Sequence, residues 1–220
     1  MIDLVPLGDR AWLARFATEA EAQDWGASVR EQRWAGVVEV SVAYASAAVF
    51  VDPDRVDPEP LEARLRRLRP TATARQAGRL IRVPVLYEGD DLEAIAAQIQ
   101  STRSAVIAAH AGQEYQVFAL GFLPGFPYAG YLSPKLAGLP RRSRPRVQVP
   151  AGSVALAGRQ TGIYPSASPG GWWLLGRTPL CLVDLARGFL PIRVGDRLRF
   201  EPIEESEFQA RLGEDLCPDE

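Results

Sequence analysis

Residues 146–177, RVQVPAGSVALAGRQTGIYPSASPGGWWLLGR, decide the fold of the larger part of this chain. Short apolar pieces alternate here with glycine and proline turns, as in RVQVP, SVALAG and WWLLG. Similar short apolar runs occur before and after this stretch. They are YQVFAL (115–120), LCLVD (180–184) and RLRF (197–200). Short strands at close spacing are typical of a compact β-barrel or sandwich. We therefore predict a mainly β domain in this part of the chain.

Helices flank the β-rich region. Leu80–Tyr87 (LIRVPVLY) predicts a strand, after which Gly89-Asp90-Asp91 begins a pair of helices. A terminal helix is expected from Ile203 to Leu212. Upstream, Thr71–Gly78 is small and polar, which is typical of a linker. The barrel domain is therefore expected to cover residues 79–220.

The first 78 residues carry a different pattern. Val38, Val40 and Val42 fall at period two, which is typical of a half-buried strand, and residues 47–51 repeat that pattern as the second arm of a hairpin. An earlier strand pair is expected around Gly8-Asp9. Thr18-Glu19-Ala20-Glu21 is a capping box that begins a helix, and a second helix begins at Asp57-Pro58. The order ββαββα predicts a two-layer α+β domain over residues 1–78.

Composition excludes several classes of protein. The 220 residues are 47% hydrophobic and 24% charged, as in ordinary soluble globular proteins, and the net charge of −2 argues against a general nucleic-acid binder. No apolar run approaches the ~18 residues of a membrane span. Because Asp3 and Arg10 interrupt the N-terminal region, we expect no signal peptide and a cytoplasmic protein with no membrane partner.

The scarce residues exclude more. His110 is the only histidine, and Cys181 and Cys217 are the only cysteines, so a zinc site of the Cys/His type has too few ligands and we expect no metal site. Lys135 is the only lysine and no GxxxxGK motif contains it, which excludes a P-loop. ATP chemistry at this chain would need groups from elsewhere.

Gly121–Tyr131 (GFLPGFPYAGY) is the first segment that suggests a binding site. It contains three glycines, two prolines and four aromatic residues, and its apolar residues follow neither the period of a strand nor that of a helix. Glycine lets backbone approach a ligand, proline restricts loop shape, and aromatic rings supply flat apolar walls. A well-packed turn at one end of the barrel would have the same composition, and spacing alone does not separate the two interpretations.

Arginines follow in Arg141-Arg142-Ser143-Arg144-Pro145-Arg146. In an extended conformation, which Pro145 favours, Arg142, Arg144 and Arg146 share one face. Guanidinium groups bind carboxylates or phosphates bidentately. The alternative is a solvated basic strand edge, which discourages aggregation. On a net-acidic chain this short cluster suits one small anion or an acidic partner surface.

A third segment, residues 158–172, joins polar side chains to glycine turns. Consecutive glycines can turn backbone N–H groups inward as an anion-binding nest, and tight hairpins use glycine equally often. Gln160, Thr161 and Tyr164 could donate neutral hydrogen bonds to an amide or lactam. His110, at the end of a predicted helix, is either a proton carrier or a C-terminal helix cap.

Three runs resemble the B-subunit family of the bacterial 5-oxoprolinases: GFLPGFPYAGYL (121–132), PRRSRPRVQVPAGSVALAGRQTGIYP (140–165) and SPGGWWLLGRTP (168–179). The same family is described as allophanate hydrolase subunit 1, as carboxyltransferase subdomains C and D of urea carboxylase, and as KipI-type inhibitors of a sporulation histidine kinase. The resemblance extends from the N-terminus to about Leu212.

This resemblance implies a cyclophilin-like barrel in the second domain. It also implies that the chain acts with the A and C subunits, the latter a related barrel protein, to convert 5-oxoproline to glutamate as ATP is hydrolysed. ATP would be shared with or supplied through these partners, no biotin would be attached to this chain, and the chain alone would be inactive. The alternatives are inhibition of a histidine kinase and a carboxyltransferase or allophanate hydrolase role in urea metabolism.

A lactam that bears a carboxylate needs an arginine for the acid and neutral donors for the amide. Arg142, Arg146 or Arg177 could meet the first need. The candidate catalytic residues are His110, Arg146 and Gln160. The candidate substrate-binding residues are Phe122, Pro124, Gly125, Phe126, Tyr128, Arg141, Arg142, Thr161, Gly162, Tyr164, Gly170, Gly171, Trp172 and Arg177.

Overall fold

The N-terminal unit, residues 1–77, has the predicted order ββαββα. The structure is a computed structural model that describes residues 2–70 and 78–218. Apart from Gly78, the predicted linker lies outside the described residues. Four antiparallel strands pair in the order β1-β2-β4-β3. The elements are β1 (Asp3–Pro6), β2 (Ala11–Arg15), α1 (Glu19–Gln32), β3 (Val37–Ala43), β4 (Ser46–Val51) and α2 (Pro58–Arg67).

Period-two alternation in β3 buries one face of this sheet from Val40 onward, whereas Val38, predicted on the same face, is 70% exposed because the register shifts between Val37 and Glu39. Val40 and Val42 are buried and lie against α1, in which Trp25 is fully buried. The helix begins as the capping box predicts, because the Thr18 hydroxyl accepts the Glu21 N–H at 3.2 Å. The Glu21 carboxylate in turn accepts the Ala17 N–H at 3.1 Å. Local sequence therefore accounts for both the strand and the helix start.

The second unit, residues 78–220, is built on a seven-stranded sheet in the order β12-β9-β10-β7-β6-β13-β5, with a two-stranded ribbon of β8 and β11. Only the pair β13–β5 is parallel among the described strands. The elements are β5 (Leu80–Val85), α3 (Leu92–Gln98), α4 (Arg103–Ala111), β6 (Glu114–Leu120), β7 (Pro127–Gly130), β8 (Arg146–Val149), β9 (Ser153–Ala157), β10 (Gln160–Ile163), β11 (Ser168–Gly170), β12 (Trp173–Arg177), β13 (Arg197–Pro202) and α5 (Glu205–Ala210).

The two edge strands of this sheet meet and nearly close it into a barrel. Leu86, directly after β5, exchanges two backbone hydrogen bonds of 2.9 Å with Arg177 at the end of β12. The Gly89 N–H donates to the Leu175 carbonyl at 3.0 Å beside them. An α+β unit followed by a mainly β barrel confirms the predicted fold class.

Alternation along the barrel strands produces two apolar clusters. In β9, Val154 and Leu156 belong to the interior cluster, which the helices α3 and α4 also join. Ala155 and Ala157 point to the outer face, where a second cluster gathers Phe126, Val149, Tyr164, Trp172 and Leu174. Since Val149 belongs to β8, the β8–β11 ribbon covers part of this outer face.

Three local predictions are wrong in detail. LCLVD does not form a strand, and its residues make only isolated bridges from Cys181 to Asp215 and from Asp184 to Phe189. The aromatic segment is not all loop, since Pro127–Gly130 is strand β7. The terminal helix, Glu205–Ala210, is shorter than predicted. Among the described residues, no helix is long and apolar enough to cross a membrane.

Candidate functional site

Arg142 and Arg146 meet on one buried carboxylate. Asp91, whose side chain is 3% exposed, occupies the N-cap position of α3. Its Oδ1 accepts a hydrogen bond from Nη1 of Arg142 and one from Nη2 of Arg146, the latter at 2.9 Å. Its Oδ2 accepts the Leu174 N–H at 2.8 Å. The prediction that Arg142, Arg144 and Arg146 share one extended face is wrong, because strand β8 begins only at Arg146 and Arg144 is exposed, away from these contacts. Arg142 and Arg146 are the two that meet.

The arginine pair retains positive charge, because two guanidinium groups face one buried carboxylate. Asp90 adds only a partly screened charge, since its carboxylate is 76% exposed and lies 3.7 Å from Nη2 of Arg146. The hydrogen bond that Arg146 donates to Asp91 raises the pKa of Arg146, which stays charged. Among the described residues, the buried Nε of Arg142 and Nη1 of Arg146 have no acceptor with hydrogen-bond geometry.

An aromatic cluster on the outer face lies next to the arginines. The ring of Phe126 is its centre, 5.0 Å from Tyr128, 5.2 Å from Tyr164 and 5.4 Å from Trp172 between centroids. Phe122 packs edge-on against Phe126 and Tyr164 but is itself 61% exposed. Its φ of +66° is a left-handed conformation that non-glycine residues adopt at a cost, commonly at functional sites.

Tyr164 links the aromatic cluster to the cationic side chains. Burial raises the pKa of its hydroxyl, while the backbone N–H of Trp172 and the charges of Arg141 and Arg146 oppose that rise. A Cβ at Gly170 would lie 2.4 Å from the Tyr164 hydroxyl oxygen, so glycine is needed there. These contacts bring the predicted glycine turn, arginines and aromatic segment to one surface.

Gly171 and Gly162 support the same surface, whereas Gly125 lies against Val183, which packs on the interior cluster. The Gly171 carbonyl accepts the Arg142 N–H at 2.8 Å, which holds the arginine segment beside β12. A Cβ at Gly162 would lie 2.9 Å from the Phe126 ring, and one at Gly125 would lie 2.3 Å from Val183. Pro124 is exposed in the loop before β7. The loop and glycine segments are therefore packing elements of the outer cluster as well as candidate binding segments.

His110 and Thr161 lie in the barrel interior, away from this surface. Nδ1 of His110 is 2.7 Å from the Tyr87 hydroxyl, and Nε2 is 2.8 Å from the Thr161 hydroxyl. Because the Thr161 hydroxyl donates to the Ala155 carbonyl at 3.0 Å, it accepts from Nε2–H, and Tyr87 donates to Nδ1. The imidazole is neutral and both of its nitrogens are occupied.

Burial lowers the pKa of His110 to about 3. The ring packs between Tyr115 and Phe200, at centroid distances of 5.3 and 4.5 Å, and is completely buried. A proton carrier must reach its substrate and exchange protons near the working pH. This geometry gives His110 a place in the core rather than at the surface of the candidate site.

Gln160 and Arg177 occupy other positions of the barrel sheet. Gln160 pairs with Gly130 at the start of β10, four residues and roughly 13 Å from Tyr164 along the chain. The guanidinium of Arg177 lies 5.0 Å from the Phe208 ring centroid, at the junction that closes the barrel. Of the three arginines considered for a substrate carboxylate, the structure brings together Arg142 and Arg146.

Asp91 is the residue that sequence reasoning missed. Gly89-Asp90-Asp91 predicts the start of a helix, and α3 does begin at Leu92, but the Asp91 side chain makes no capping hydrogen bond. Its partners lie 51 and 55 residues away, so the local pattern does not indicate them. Among the described residues, no group of three or more His, Cys, Asp or Glu side chains could hold a metal ion.

Residues 2–189 match the model of the carboxyltransferase domain, subdomain C and D. The chain belongs to this family. Two bacterial relatives, each named as the B subunit of 5-oxoprolinase, match over nearly their whole length. The Bacillus subtilis protein is 37% identical over 93% of this chain and 94% of its own, and the Haemophilus influenzae protein is 36% identical over 90% and 97%.

A solved structure of the same fold is that of TTHA0988. It is 37% identical with a TM-score of 0.80, and the match covers 89% of this chain. The match covers only 40% of TTHA0988, so this chain corresponds to part of that longer protein. The family assignment therefore agrees with both the sequence resemblance and the barrel architecture.

Proposed function

We propose that this chain is the B subunit of an ATP-dependent 5-oxoprolinase, which acts with the A and C subunits to convert 5-oxoproline to glutamate. Two bacterial relatives that carry this name match over nearly their whole length, which supports the proposal. The structural observation that carries it is the arginine pair on Asp91, which Tyr164 connects to the exposed Phe122 ring.

This surface suits the chemistry of the substrate. 5-Oxoproline carries one carboxylate on a small ring that contains a lactam. Guanidinium groups bind carboxylates through charge-assisted hydrogen bonds, and an exposed aromatic ring offers a flat apolar wall for the ring. Arg142 and Arg146 supply the first element and Phe122 the second, with Arg141 adding charge near Tyr164.

The nucleotide would need residues from partner proteins. The sequence contains no P-loop, and its single lysine, Lys135, has no phosphate-binding motif around it. We therefore expect ATP to be shared with or supplied through the A and C subunits, and the isolated chain to be inactive. No biotin is expected on this chain. The kinase-inhibitor and urea-metabolism alternatives use the same motifs, and the two bacterial relatives favour the oxoprolinase.

Reconstitution tests the proposal. The purified chain is mixed with candidate A and C subunits, and ATP hydrolysis is followed with and without 5-oxoproline. We expect hydrolysis that requires both the lactam and this chain, and none from the chain alone. A complex with the C subunit, without lactam-dependent hydrolysis, would point to another amide substrate. If neither a complex nor hydrolysis were observed, histidine kinase inhibition would be the function to test.

A further inference from the structure

We propose that Asp91 is a positioning residue that orients Arg142 and Arg146 toward the carboxylate of a singly charged substrate and disfavours doubly charged anions. This inference rests on the proposed 5-oxoprolinase function and names a determinant of its substrate class. Asp91 is not a candidate for contact with substrate, because its side chain is 3% exposed. It acts through the two guanidinium groups.

The backbone of Leu174 holds Asp91 in place. Its Oδ2 accepts the Leu174 N–H at 2.8 Å, and its own N–H donates to the Leu174 carbonyl at 3.3 Å. Asp91 is therefore attached to strand β12 by two contacts that do not depend on the arginines. A carboxylate fixed in this way gives Arg142 and Arg146 a rigid acceptor.

The arginines reach Asp91 from a different part of the chain. Arg142 is tied to Gly171 through its backbone, and its guanidinium also lies 5.3 Å from the Trp173 ring centroid. Each guanidinium uses one edge on Asp91, and 31% of the Arg142 side chain and 20% of the Arg146 side chain remain exposed. The side chains therefore reach the surface in an orientation that Asp91 sets, and we infer that their remaining N–H groups meet the substrate carboxylate there.

Charge adds a preference to this orientation. At the arginine pair itself, the two guanidinium groups and the buried Asp91 carboxylate leave a single positive charge, which matches one substrate carboxylate, while Arg141 adds its charge farther along the surface near Tyr164. Without the Asp91 charge the site would carry two positive charges and would favour a divalent anion. Asp90 does not replace Asp91, because its carboxylate is mostly exposed and lies 3.7 Å from a nitrogen of Arg146 alone.

The experiment compares the reconstituted wild-type enzyme with Asp91→Asn, which keeps an acceptor oxygen for the Leu174 N–H and removes the charge. We expect the KM for 5-oxoproline to rise about tenfold, because the charge-assisted hydrogen bonds from Arg142 and Arg146 to residue 91 weaken and the two guanidinium groups lose their orientation toward the substrate carboxylate. We expect kcat to stay within about twofold of the wild-type value. We also expect inorganic sulfate, added at constant ionic strength, to compete with 5-oxoproline more strongly than in the wild type. A purely structural role would not strengthen sulfate inhibition.

Asp90→Asn is the matched control, since it removes the same charge from an exposed neighbour and should leave both quantities unchanged. Asp91→Glu keeps the charge and shifts the carboxylate, so its KM should rise while its sulfate inhibition stays at the wild-type value. If Asp91→Asn does not fold, a wild-type KM for Asp91→Glu overturns the proposal. An unchanged KM or unchanged sulfate inhibition in folded Asp91→Asn also overturns it. Lactam-independent wild-type hydrolysis would instead refute the 5-oxoprolinase function itself.

Discussion

Leu86 and Arg177 exchange two backbone hydrogen bonds, each 2.9 Å long, and so join the edge strands of the barrel sheet. Gly176 stands beside this junction, where a Cβ would lie 2.3 Å from the Leu86 carbonyl oxygen. Closure of the barrel therefore depends on a backbone approach that only glycine permits. The same junction brings Asp91 to Leu174 and hence to the arginine pair.

The barrel junction predicts that Gly176→Ala destabilises the chain. The added Cβ would collide with backbone, which cannot rotate away as a side chain can, so we expect a loss of at least about 2 kcal/mol in the free energy of unfolding. Urea denaturation followed by tryptophan fluorescence measures it. Gly121→Ala is the control, because the nearest atom to its Cβ would be 3.9 Å away. Equal midpoints for the two variants would contradict the role given to the junction.

His110 predicts a loss of stability in acid. Its pKa is about 3 in the folded chain and near 6.5 when unfolded, so the unfolded state binds the extra proton first as pH falls. The contribution of the neutral imidazole is complete above pH 6.5 and decreases by about 1.4 kcal/mol per pH unit between about 6 and 3. Burial raises the pKa values of Tyr87 and Tyr115, so both neighbours stay neutral in this range.

The measurement is the free energy of unfolding against pH for the wild type and for His110→Gln, which cannot titrate. We expect the difference between the two to change with pH below about 6. Parallel curves would show that His110 takes up its proton at the same pH in the folded and unfolded chains. That result would contradict the neutral imidazole that its hydrogen bonds with Tyr87 and Thr161 indicate.

We predict that Phe122→Gly changes substrate binding without a large change in stability. Phe122→Gly relieves the left-handed backbone, a gain of about 1 kcal/mol that offsets the loss of ring contacts with Phe126 and Tyr164. We therefore expect stability within about 1 kcal/mol of the wild type but a several-fold rise in the KM for 5-oxoproline in the reconstituted enzyme. Gln100→Gly, at another positive φ of 52°, controls for backbone relief and should leave the KM unchanged. A wild-type KM for Phe122→Gly would exclude the ring from the site.

We predict that Arg146→Ala raises the KM for 5-oxoproline while the chain still folds. In Arg146→Ala, Asp91 keeps Arg142 and the Leu174 N–H as partners, so we expect a loss of about 1–2 kcal/mol in stability. The KM for 5-oxoproline should rise about tenfold, because one charge-assisted hydrogen bond is lost. Arg144→Ala, at an exposed arginine two residues away, should behave as wild type. Unchanged KM and kcat in Arg146→Ala would remove this arginine from the site.

Much of the fold could be predicted because its determinants are local. Val40 and Val42 indicate their strand from alternation alone, and Thr18 with Glu21 indicates a helix start that the structure contains. The strand predicted for LCLVD does not form. An apolar run indicates that a segment is buried but does not indicate a pairing strand, and these residues make only isolated bridges with Asp215 and Phe189. Apolar composition predicts that a segment is buried, but the segment forms a β-strand only where a neighbouring strand is available to pair with it.

The candidate site divides in the same way. The amino-acid sequence by itself determined the α+β and β-barrel pattern and singled out the arginine and aromatic segments, since each is recognised within a few neighbouring residues. Only the tertiary structure placed His110 in the core beside Thr161, 51 residues away, and joined Arg146 to Asp91 across 55 residues. Burial and hydrogen-bond partners set the charge of a side chain, and both arise only when distant strands close into a barrel.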